Sequence, residues 1–282
     1  MPEAGRLLVC ATPIGNLGDV TMRVLDALRA SDVVYAEDTR VTRKLLARYD
    51  IDTPVERCDE NVMDRKTAHA LDRIGAGGVV ALVSDAGTPG ISDPGARLVS
   101  AVLDAAFRVE VLPGPSAILT ALVASGLPTH AFYFGGFLPR KAGEIRRALA
   151  KLVELDATLV FYESPHRAAA SLAFLSEAFP GRRAVFAREL TKRHEECVRG
   201  TVEEVAEAIA ARETVKGEVV LLVGPPEAGG SASYDEGELR ARVEALVALG
   251  TARKEAVRVV AAETGAPRNR VYSASLGGGR GD

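Results

Sequence analysis

The sequence predicts an α/β protein of two domains followed by a short helical tail. Apolar runs of strand length, of which VVALV at Val79–Val83 is the clearest, alternate with longer segments whose apolar residues recur at helical spacing. Two loops rich in glycine and proline directly follow such runs. The chain has 282 residues, which is long enough for two domains of ordinary size. Strands and helices that alternate at this spacing indicate a mostly parallel, doubly wound sheet.

The first half of the chain is predicted to contain five strands with helices between them. Thr21 or Asp19 is expected to cap a helix whose apolar face is Val24, Leu25 and Leu28. Three further helices are expected: one that carries Arg43, Lys44 and Arg48 on its polar side, and two at 64–74 and 96–106. The predicted strands are 6–11, 33–36, 54–58, 79–83 and 108–112.

The loop at 84–95, with the sequence SDAGTPGISDPG, organises the rest of the chain. Its glycines let the backbone come close to a ligand, and its prolines stiffen it. A second loop of this kind, at 12–19, follows the first strand. Open α/β sheets bind ligands beyond the carboxyl ends of their parallel strands, so both loops are expected at one binding edge. Neither loop has the glycine pattern of a phosphate loop or a dinucleotide fold, and a purely structural connection is the alternative.

The segment PGPS at 113–116 is the predicted domain boundary, because its prolines and glycine end a strand and Ser116 can cap the next helix. The predicted units are 1–113, 114–228 and 234–282, with a linker of small residues at 229–233. The second unit is expected to contain strands at 131–135, 158–162, 184–187 and 218–223, a hairpin return at 197–200, and helices at 117–124, 143–153 and 202–211.

Composition limits the functional classes. The formal net charge of −3 argues against coating nucleic acid along the whole surface, so any RNA contact must come from a local patch. Cys10, Cys58 and Cys197 are far apart and fit a reducing cytoplasm rather than a disulfide framework or a zinc site. No apolar run approaches the roughly 18 residues of a membrane span, and the amino terminus has no apolar signal core. A soluble cytoplasmic protein without membrane contact is expected.

Four polar clusters stand at strand ends or helix starts, where α/β folds gather ligand-binding groups. They lie at 37–40, 85–93, 163–167 and 188–196. Each has an ordinary structural alternative: Asp38 and Arg40 can form an ion pair, and His166 can mark a helix terminus. His194 beside Glu195 has no second histidine at ligand spacing, so no metal site is expected.

Together the motifs resemble those of one family. The chain contains ATPIGNLGD, YAEDTR, LVSDAGTPGISDPG, LPGPSA, SGLP, FYESPHR, RELTKRHEE and KGEVVLLVG. This combination resembles the tetrapyrrole methylase superfamily of S-adenosylmethionine enzymes. Within it, the chain is similar to the branch that methylates the ribose 2′-hydroxyl of a cytidine in the 16S RNA of the small ribosomal subunit. The segment RCDEN at 57–61 lacks the histidine of the Tyr-His-Glu run usual there, so no role of that histidine carries over.

The resemblance implies a tetrapyrrole-methylase-like fold with S-adenosylmethionine in a crevice between two α/β domains. It also implies a homodimer and the 30S particle as partner. Backbone amides and carbonyls of the glycine- and proline-rich loops suit recognition of adenine and of the methionine amino-carboxylate. The residues that the resemblance places at the cofactor are Pro13, Asp85, Thr88, Ile91, Ser116 and Ala117 in the first domain, and Tyr162, Leu190 and Gly217 in the second.

A ribose hydroxyl has a high pKa, so the protein must deprotonate or orient it. The available acceptors are Glu37, Asp38, Glu60, Glu189 and Glu195, which the sequence does not rank. We assign the catalytic role to Asp38 and Glu189. The basic residues expected to hold RNA phosphate near this site are Arg40, Lys44, Lys192 and Arg193.

The tail is the second predicted RNA contact. Residues 251–280 carry six basic and two acidic side chains, a formal charge of +4 that opposes the charge of the whole chain. Arg268 and Arg270 are the residues expected to contact phosphate, and a bundle that only packs on the second domain is the alternative. Two other functions stay open: a methyltransferase acting on a corrin ring or on a protein side chain as in diphthine synthesis, and a non-catalytic RNA-binding protein.

Overall fold

A computed structural model of the chain describes residues 5–226, 235–264 and 266–276. The linker predicted at 229–233 and Arg280 lie outside the described residues. The first half forms a sheet of five strands, all parallel, in the spatial order β3-β2-β4-β1-β5. Its strands are β1 (Arg6–Cys10), β2 (Val33–Ala36), β3 (Val55–Arg57), β4 (Val79–Val83) and β5 (Arg108–Leu112).

Helices cover both faces of this sheet, as the doubly wound prediction requires. They are α1 (Met22–Ala30), α2 (Thr39–Arg48), α3 (Met63–Gly75) and α4 (Gly95–Asp104). Successive strand residues point to opposite faces, so Leu8 packs toward α1 and α2 whereas Leu7 packs toward α3 and α4. Thr21, not Asp19, caps α1: its hydroxyl accepts a hydrogen bond from the Val24 amide at 3.2 Å. The predicted apolar face of α1 is buried.

The second half contains a mixed sheet in the order β6-β7-β10-β8-β9, in which only the β6–β7 pair is parallel. The antiparallel β8–β9 pair confirms the hairpin return predicted near Cys197. The strands are β6 (Phe132–Phe137), β7 (Thr158–Glu163), β8 (Arg183–Arg188), β9 (Glu196–Thr201) and β10 (Val219–Val223). The helices are α5 (Ala117–Ser125), α6 (Ala142–Ala150), α7 (Ala168–Ala178) and α8 (Val202–Ala210).

An apolar cluster on one face of the second sheet joins the two halves. α5 covers this face, and Ile14, from the loop after β1, packs into the same cluster as Leu190 and Val220. α6, α7 and α8 cover the other face. The first sheet ends at Leu112 and the second begins at Phe132, so the predicted boundary at 113/114 falls between the sheets; its position stays a prediction.

The tail consists of α9 (Glu236–Ala248), α10 (Arg253–Thr264) and α11 (Arg268–Leu276). These helices pack on one another around an apolar core of their own, which contains Leu239, Val243 and Val257. The tail is therefore a small helical unit with its own core. None of the described helices is long and apolar enough to cross a membrane.

Candidate active site between the two sheets

The two glycine- and proline-rich loops are hydrogen-bonded to each other. β1 and β4 are neighbours and run parallel, so the loops that follow them leave the sheet at the same edge, as predicted. The Thr12 amide donates to the Gly87 carbonyl at 2.8 Å, and the Gly87 amide donates back to the Thr12 carbonyl at 3.0 Å. The Thr12 hydroxyl also donates to the Ser84 carbonyl at 3.0 Å. These bonds fix the floor of a crevice between the two sheets.

The crevice encloses a cavity of about 440 Å³ that is lined from both halves of the chain. This volume is within the usual range for sites that bind small molecules. Five of the nine predicted cofactor residues line it: Asp85, Ile91, Ala117, Tyr162 and Gly217. The apolar lining also includes Ile14, Phe137, Val219 and Val220, which were not predicted to contact the cofactor. The Phe137 ring lies 5.7 Å from the Tyr162 ring, so aromatic surface forms part of the wall.

All the charged side chains that line this cavity are acidic. Its charged lining residues are Glu37, Asp85, Asp93, Glu163 and Glu218, and no lysine, arginine or histidine occurs among the described residues that line it. Clustered carboxylates in a cleft produce a negative potential that concentrates cations. The cavity therefore favours a ligand that carries positive charge beside an apolar part.

Four of these five carboxylates already have partners in the protein, which fixes their positions. Asp85 accepts from the Asp38 amide, Asp93 from the Gly90 and Gly95 amides, Glu163 from the Ser171 hydroxyl, and Glu218 pairs with Lys192. A buried carboxylate that accepts hydrogen bonds is held in one orientation and keeps its charge at a defined place.

Glu37 is the exception among the lining carboxylates. It stands at the carboxyl end of β2 and forms no hydrogen bond or ion pair with the described part of the chain. Burial raises the pKa of the Glu37 carboxyl, and the neighbouring charges of Asp85 and Asp93 raise it further. A carboxylate with a raised pKa and a free acceptor atom is a stronger general base than an ordinary glutamate. The sequence named Glu37 as an acceptor but did not assign it the role.

Asp38 has a different environment from its neighbour. It caps α2 by accepting from the Arg40 amide at 2.8 Å, and its carboxylate pairs with the Arg40 guanidinium, whose Nη2 lies 2.6 Å from Oδ2. The hydrogen bond from Arg40 holds the pKa of Asp38 well below its usual range. Asp38 does not line the cavity. The ion pair that was the alternative for these two residues is present, and this geometry disfavours the predicted catalytic role of Asp38.

Glu189, like Asp38, is bound to other residues of the protein. Its Oε1 accepts from Lys192 Nζ at 2.9 Å and from the Glu218 amide at 3.1 Å, and the Lys192 hydrogen bond lowers its pKa. Gly217 adopts a φ of +90°, and a Cβ atom there would collide with the Glu189 carboxylate. Glu189 therefore supports the turn that brings Gly217 to the cavity but does not line the cavity itself.

The other four predicted cofactor residues lie near the cavity without lining it. Pro13 lines a smaller adjoining cavity of about 170 Å³. Leu190 is buried in the apolar cluster that joins the two halves. Ser116 caps α5, as predicted, by accepting from the Leu119 amide at 3.4 Å. Thr88 is half-buried in the loop after β4 and lines neither cavity.

The predicted RNA-binding cations near the crevice divide into two groups. Lys44 and Arg193 are exposed and form no ion pair with described residues. Arg40 is committed to Asp38, and Lys192 bridges Glu189 and Glu218. Within the described ranges, no group of three or more histidine, cysteine, aspartate or glutamate side chains could hold a metal ion.

Comparison with known proteins gives the family. The model of the tetrapyrrole (corrin/porphyrin) methylases matches residues 6–206. A protein of Mesorhizobium japonicum named ribosomal RNA small subunit methyltransferase I is 44% identical over 282 residues, which are 100% of this chain and 96% of that protein. A Mycobacterium tuberculosis protein of the same name is 46% identical over 278 residues, 97% of this chain and 95% of its own.

Solved structures agree on the fold. The methyltransferase CobJ superposes with a TM-score of 0.60 at 24% identity, over 78% of this chain and 94% of that one. A diphthine synthase superposes with a TM-score of 0.59 at 14% identity, over 78% of this chain and 89% of that one. Identities at this level show the fold alone, whereas the full-length relatives show the family. The chain thus belongs to the tetrapyrrole methylases, and within them to the ribosomal RNA small subunit methyltransferase I family.

Proposed function

We propose that this methyltransferase transfers the methyl group of S-adenosylmethionine to the ribose 2′-hydroxyl of a cytidine in the 16S RNA of the small ribosomal subunit. The observation that carries the proposal is the cavity between the sheets, whose charged lining is entirely acidic and whose remaining lining is largely apolar. The family relatives, which bear the name of a ribosomal RNA methyltransferase along their whole length, support the choice of substrate.

The cavity fits S-adenosylmethionine by the chemistry of its lining. A sulfonium and an ammonium group are both cations, and the carboxylates of Asp85 and Asp93 offer them negative charge. Ile14, Phe137 and Val220 offer the apolar surface that an adenine ring requires. Gly217 contributes only backbone to the wall of the cavity. When bound, the cofactor supplies a methyl group on a positively charged sulfur.

Glu37 is the residue that we propose as general base. Its carboxylate lines the cavity without a protein partner, so an acceptor atom is available to the incoming 2′-hydroxyl. Glu37 would accept the proton of the 2′-hydroxyl, and the ribose oxygen would take the methyl group from the sulfur of the bound cofactor, which would leave as S-adenosylhomocysteine. Burial, together with the charges of Asp85 and Asp93, raises the pKa of Glu37 above its ordinary value. In this proposal Asp38 and Glu189 hold the loops around the site in place and take no part in the proton transfer.

The RNA backbone is proposed to approach across α2 and the segment between β8 and β9. Lys44 and Arg193 are exposed there and free of ion pairs with described residues, so their charges are available to phosphate. Arg40 and Lys192 contribute chiefly through their pairs with Asp38 and Glu189.

Methyltransferases that act on corrin rings, on proteins or on RNA share this fold, so the fold does not identify the substrate. The tail distinguishes this chain from the others. The methylase family model ends at residue 206, before the tail, whereas the match to the Mesorhizobium japonicum protein spans the whole chain. A helical unit with its own core, in which α10 and α11 carry five basic and two acidic side chains, is of use to an enzyme whose substrate is a large polyanion.

A panel of substrates tests the proposed function. The purified chain is incubated with S-adenosylmethionine labelled in its methyl group and with 30S particles, protein-free 16S RNA, a corrin precursor or a diphthine-precursor protein. We expect label only in the RNA, at a ribose 2′-oxygen of a cytidine, with 30S particles the better substrate. Label in the tetrapyrrole or the protein contradicts the proposal, and cofactor binding without transfer to any substrate favours the non-catalytic alternative.

We also propose a cytoplasmic homodimer. α5 is apolar on all sides although Leu119 is 53% exposed and Val123 is 75% exposed, and a helix of this kind is normally buried on both faces. A second copy of the chain is the occupant that the resemblance implies. Sedimentation equilibrium measures the assembly state, and a monomer at micromolar concentration contradicts the dimer.

A further inference from the structure

A groove runs between two helices of the tail, apart from the active-site crevice. It encloses about 640 Å³ and is lined by Arg253, Lys254, Val257, Arg268, Asn269 and Tyr272. The first three belong to α10 and the others to α11. Residues three and four positions apart share a helix face, so the lining is one face of each helix.

The walls of the groove are held at a fixed separation. Val257 is buried in the core of the tail and forms the floor between the two helices. Arg253 of α10 donates from Nη1 to the Ser275 carbonyl near the end of α11 at 2.6 Å. A groove that is tied across in this way is present before a ligand arrives, which lowers the cost of binding.

The groove presents positive charge that the tail itself does not neutralise. Lys254 and Arg268 form no ion pair or hydrogen bond through their side chains with the described residues, whereas Arg258 on the same bundle is paired with Glu255. The cations of the groove are therefore open to an anionic ligand. This surface is basic on a chain whose formal net charge is −3.

Tyr272 adds an aromatic surface to the same groove. Its side chain lies outside the apolar core of the tail, and the residue is 50% exposed. Asn269, three positions earlier on α11, adds amide donors beside the ring, while its Oδ1 accepts from the Arg270 amide at 2.9 Å. A ring beside two cations and an amide matches the combination that binds unpaired nucleotides, whose bases stack on aromatic faces while phosphates meet basic side chains.

We propose that this groove binds an unpaired segment of RNA, with one base stacked on Tyr272 and the flanking phosphates at Lys254 and Arg268. Asn269 contacts the edge of the stacked base. The inference rests on the proposed function for its choice of RNA as partner, and it extends that function to a second site. The tail then holds a single-stranded region of the substrate while the crevice receives the target nucleotide.

Arg270 provides a matched control on the same helix. It lies two residues beyond Arg268 and is not among the residues that line the groove. Arg268 and Arg270 were predicted as an equivalent pair, and the geometry separates them. An alanine substitution at either position removes one positive charge from the tail, but only the Arg268 substitution removes it from the groove.

Binding of a labelled single-stranded RNA of about twelve nucleotides to the full chain, measured by fluorescence anisotropy over a series of salt concentrations, tests the proposal. We expect Tyr272→Ala to weaken binding by about tenfold and Tyr272→Phe to retain most of the affinity, because stacking needs the ring and not the hydroxyl. Arg268→Ala and Lys254→Ala should each lower the salt slope by about 0.7, whereas Arg270→Ala should leave the slope unchanged. An RNA duplex of equal length should bind more weakly than the single strand.

Further measurements keep the outcomes distinct. Calorimetry with S-adenosylmethionine should give equal affinity for the wild type and all tail variants, which shows that the crevice is intact, and equal helical circular dichroism shows that the tail is folded. Equal losses in Arg268→Ala and Arg270→Ala, or full affinity in Tyr272→Ala, overturn the groove proposal. Methylation of 30S particles by the wild type is measured separately. If it is present while the groove proposal fails, the proposed function stands. If it is absent while single-stranded RNA binds normally, the proposed function is contradicted and the groove proposal is not.

Discussion

Replacement of Glu37 with glutamine is expected to lower the rate of RNA methylation by about 10²- to 10⁴-fold, the usual contribution of a general base. Glutamine has the size of glutamate but cannot accept the hydroxyl proton. Glu37 lines the cavity and has no partner among the described residues, so the substitution breaks no hydrogen bond of the protein. Single-turnover methylation of 30S particles at saturating cofactor measures the loss. Cofactor affinity should change far less than the rate.

The pH dependence gives a second readout of the same residue. Glu37 must be deprotonated to act as a base, and burial together with Asp85 and Asp93 raises its pKa above the ordinary value. Activity should therefore fall as the pH decreases through this raised pKa, and it should stay high above it. In Glu37→Gln the residual activity should lack this acid limb.

Asp38→Asn is the matched control, since it changes the neighbouring carboxylate in the same way. Asparagine can still cap α2, but it loses the ion pair with Arg40, which is exposed and of small energetic value. We expect this variant to keep the methylation rate within a few-fold of the wild type. The reverse result, a large loss in Asp38→Asn and a small one in Glu37→Gln, would restore the catalytic role to Asp38.

The parts of the fold that follow local patterns could be predicted from the sequence. The run at Val79–Val83 is apolar at every position because both faces of its strand are covered by helices, and this feature is visible without a structure. The two glycine- and proline-rich loops could be placed at one edge because parallel neighbouring strands end at the same edge. Thr21 could be proposed as a cap because its hydroxyl precedes an amphipathic run.

Strand direction in the second sheet could not be predicted in the same way. The runs at Thr158–Glu163 and Val219–Val223 are as apolar as those of the first sheet, yet they pair antiparallel. Burial on both faces fixes the apolar composition of a strand but not its direction. Direction depends on which connections cross the sheet, and a long connection is compatible with either outcome.

The roles of adjacent polar residues were equally beyond the sequence. Glu37 and Asp38 are neighbours with the same chemistry, but one lines the cavity and the other turns back to cap α2. Arg268 and Arg270 differ in the same manner, since two positions along a helix correspond to more than half a turn. Motif resemblance located the first cluster, and the positive charge of the tail located the second. Which member of each cluster faces a ligand depends on side-chain direction, which only the three-dimensional structure gives.

Replacement of Asp85 with alanine is expected to weaken binding of S-adenosylmethionine by more than tenfold, which corresponds to about 1.4 kcal/mol. Asp85 lines both the main cavity and the adjoining one. Its Oδ1 accepts from the Asp38 amide at 2.9 Å and so links the loop after β4 to the start of α2. Alanine removes this link and one of the five negative charges that line the cavity. Isothermal titration with the cofactor measures the effect.

Asp85→Asn separates the two contributions. Asparagine retains an oxygen that can accept from the Asp38 amide, so the loops should stay linked while the charge is lost. Affinity between those of the wild type and Asp85→Ala is expected if link and charge both contribute. Because the Asp85 charge raises the pKa of Glu37, its loss should also move the acid limb of the methylation rate to lower pH.

Asp26→Ala, on the exposed face of α1, controls for the loss of one aspartate elsewhere in the same domain. It should leave both cofactor affinity and the acid limb unchanged. If Asp85→Ala remains folded by circular dichroism and binds the cofactor as tightly as the wild type, the loop after β4 serves only to connect β4 to α4. An acid limb that does not move in Asp85→Asn would remove the electrostatic coupling to Glu37, even if the affinity falls as expected. The Asp85 variants thus test the binding of the cofactor and the tuning of the base by separate measurements.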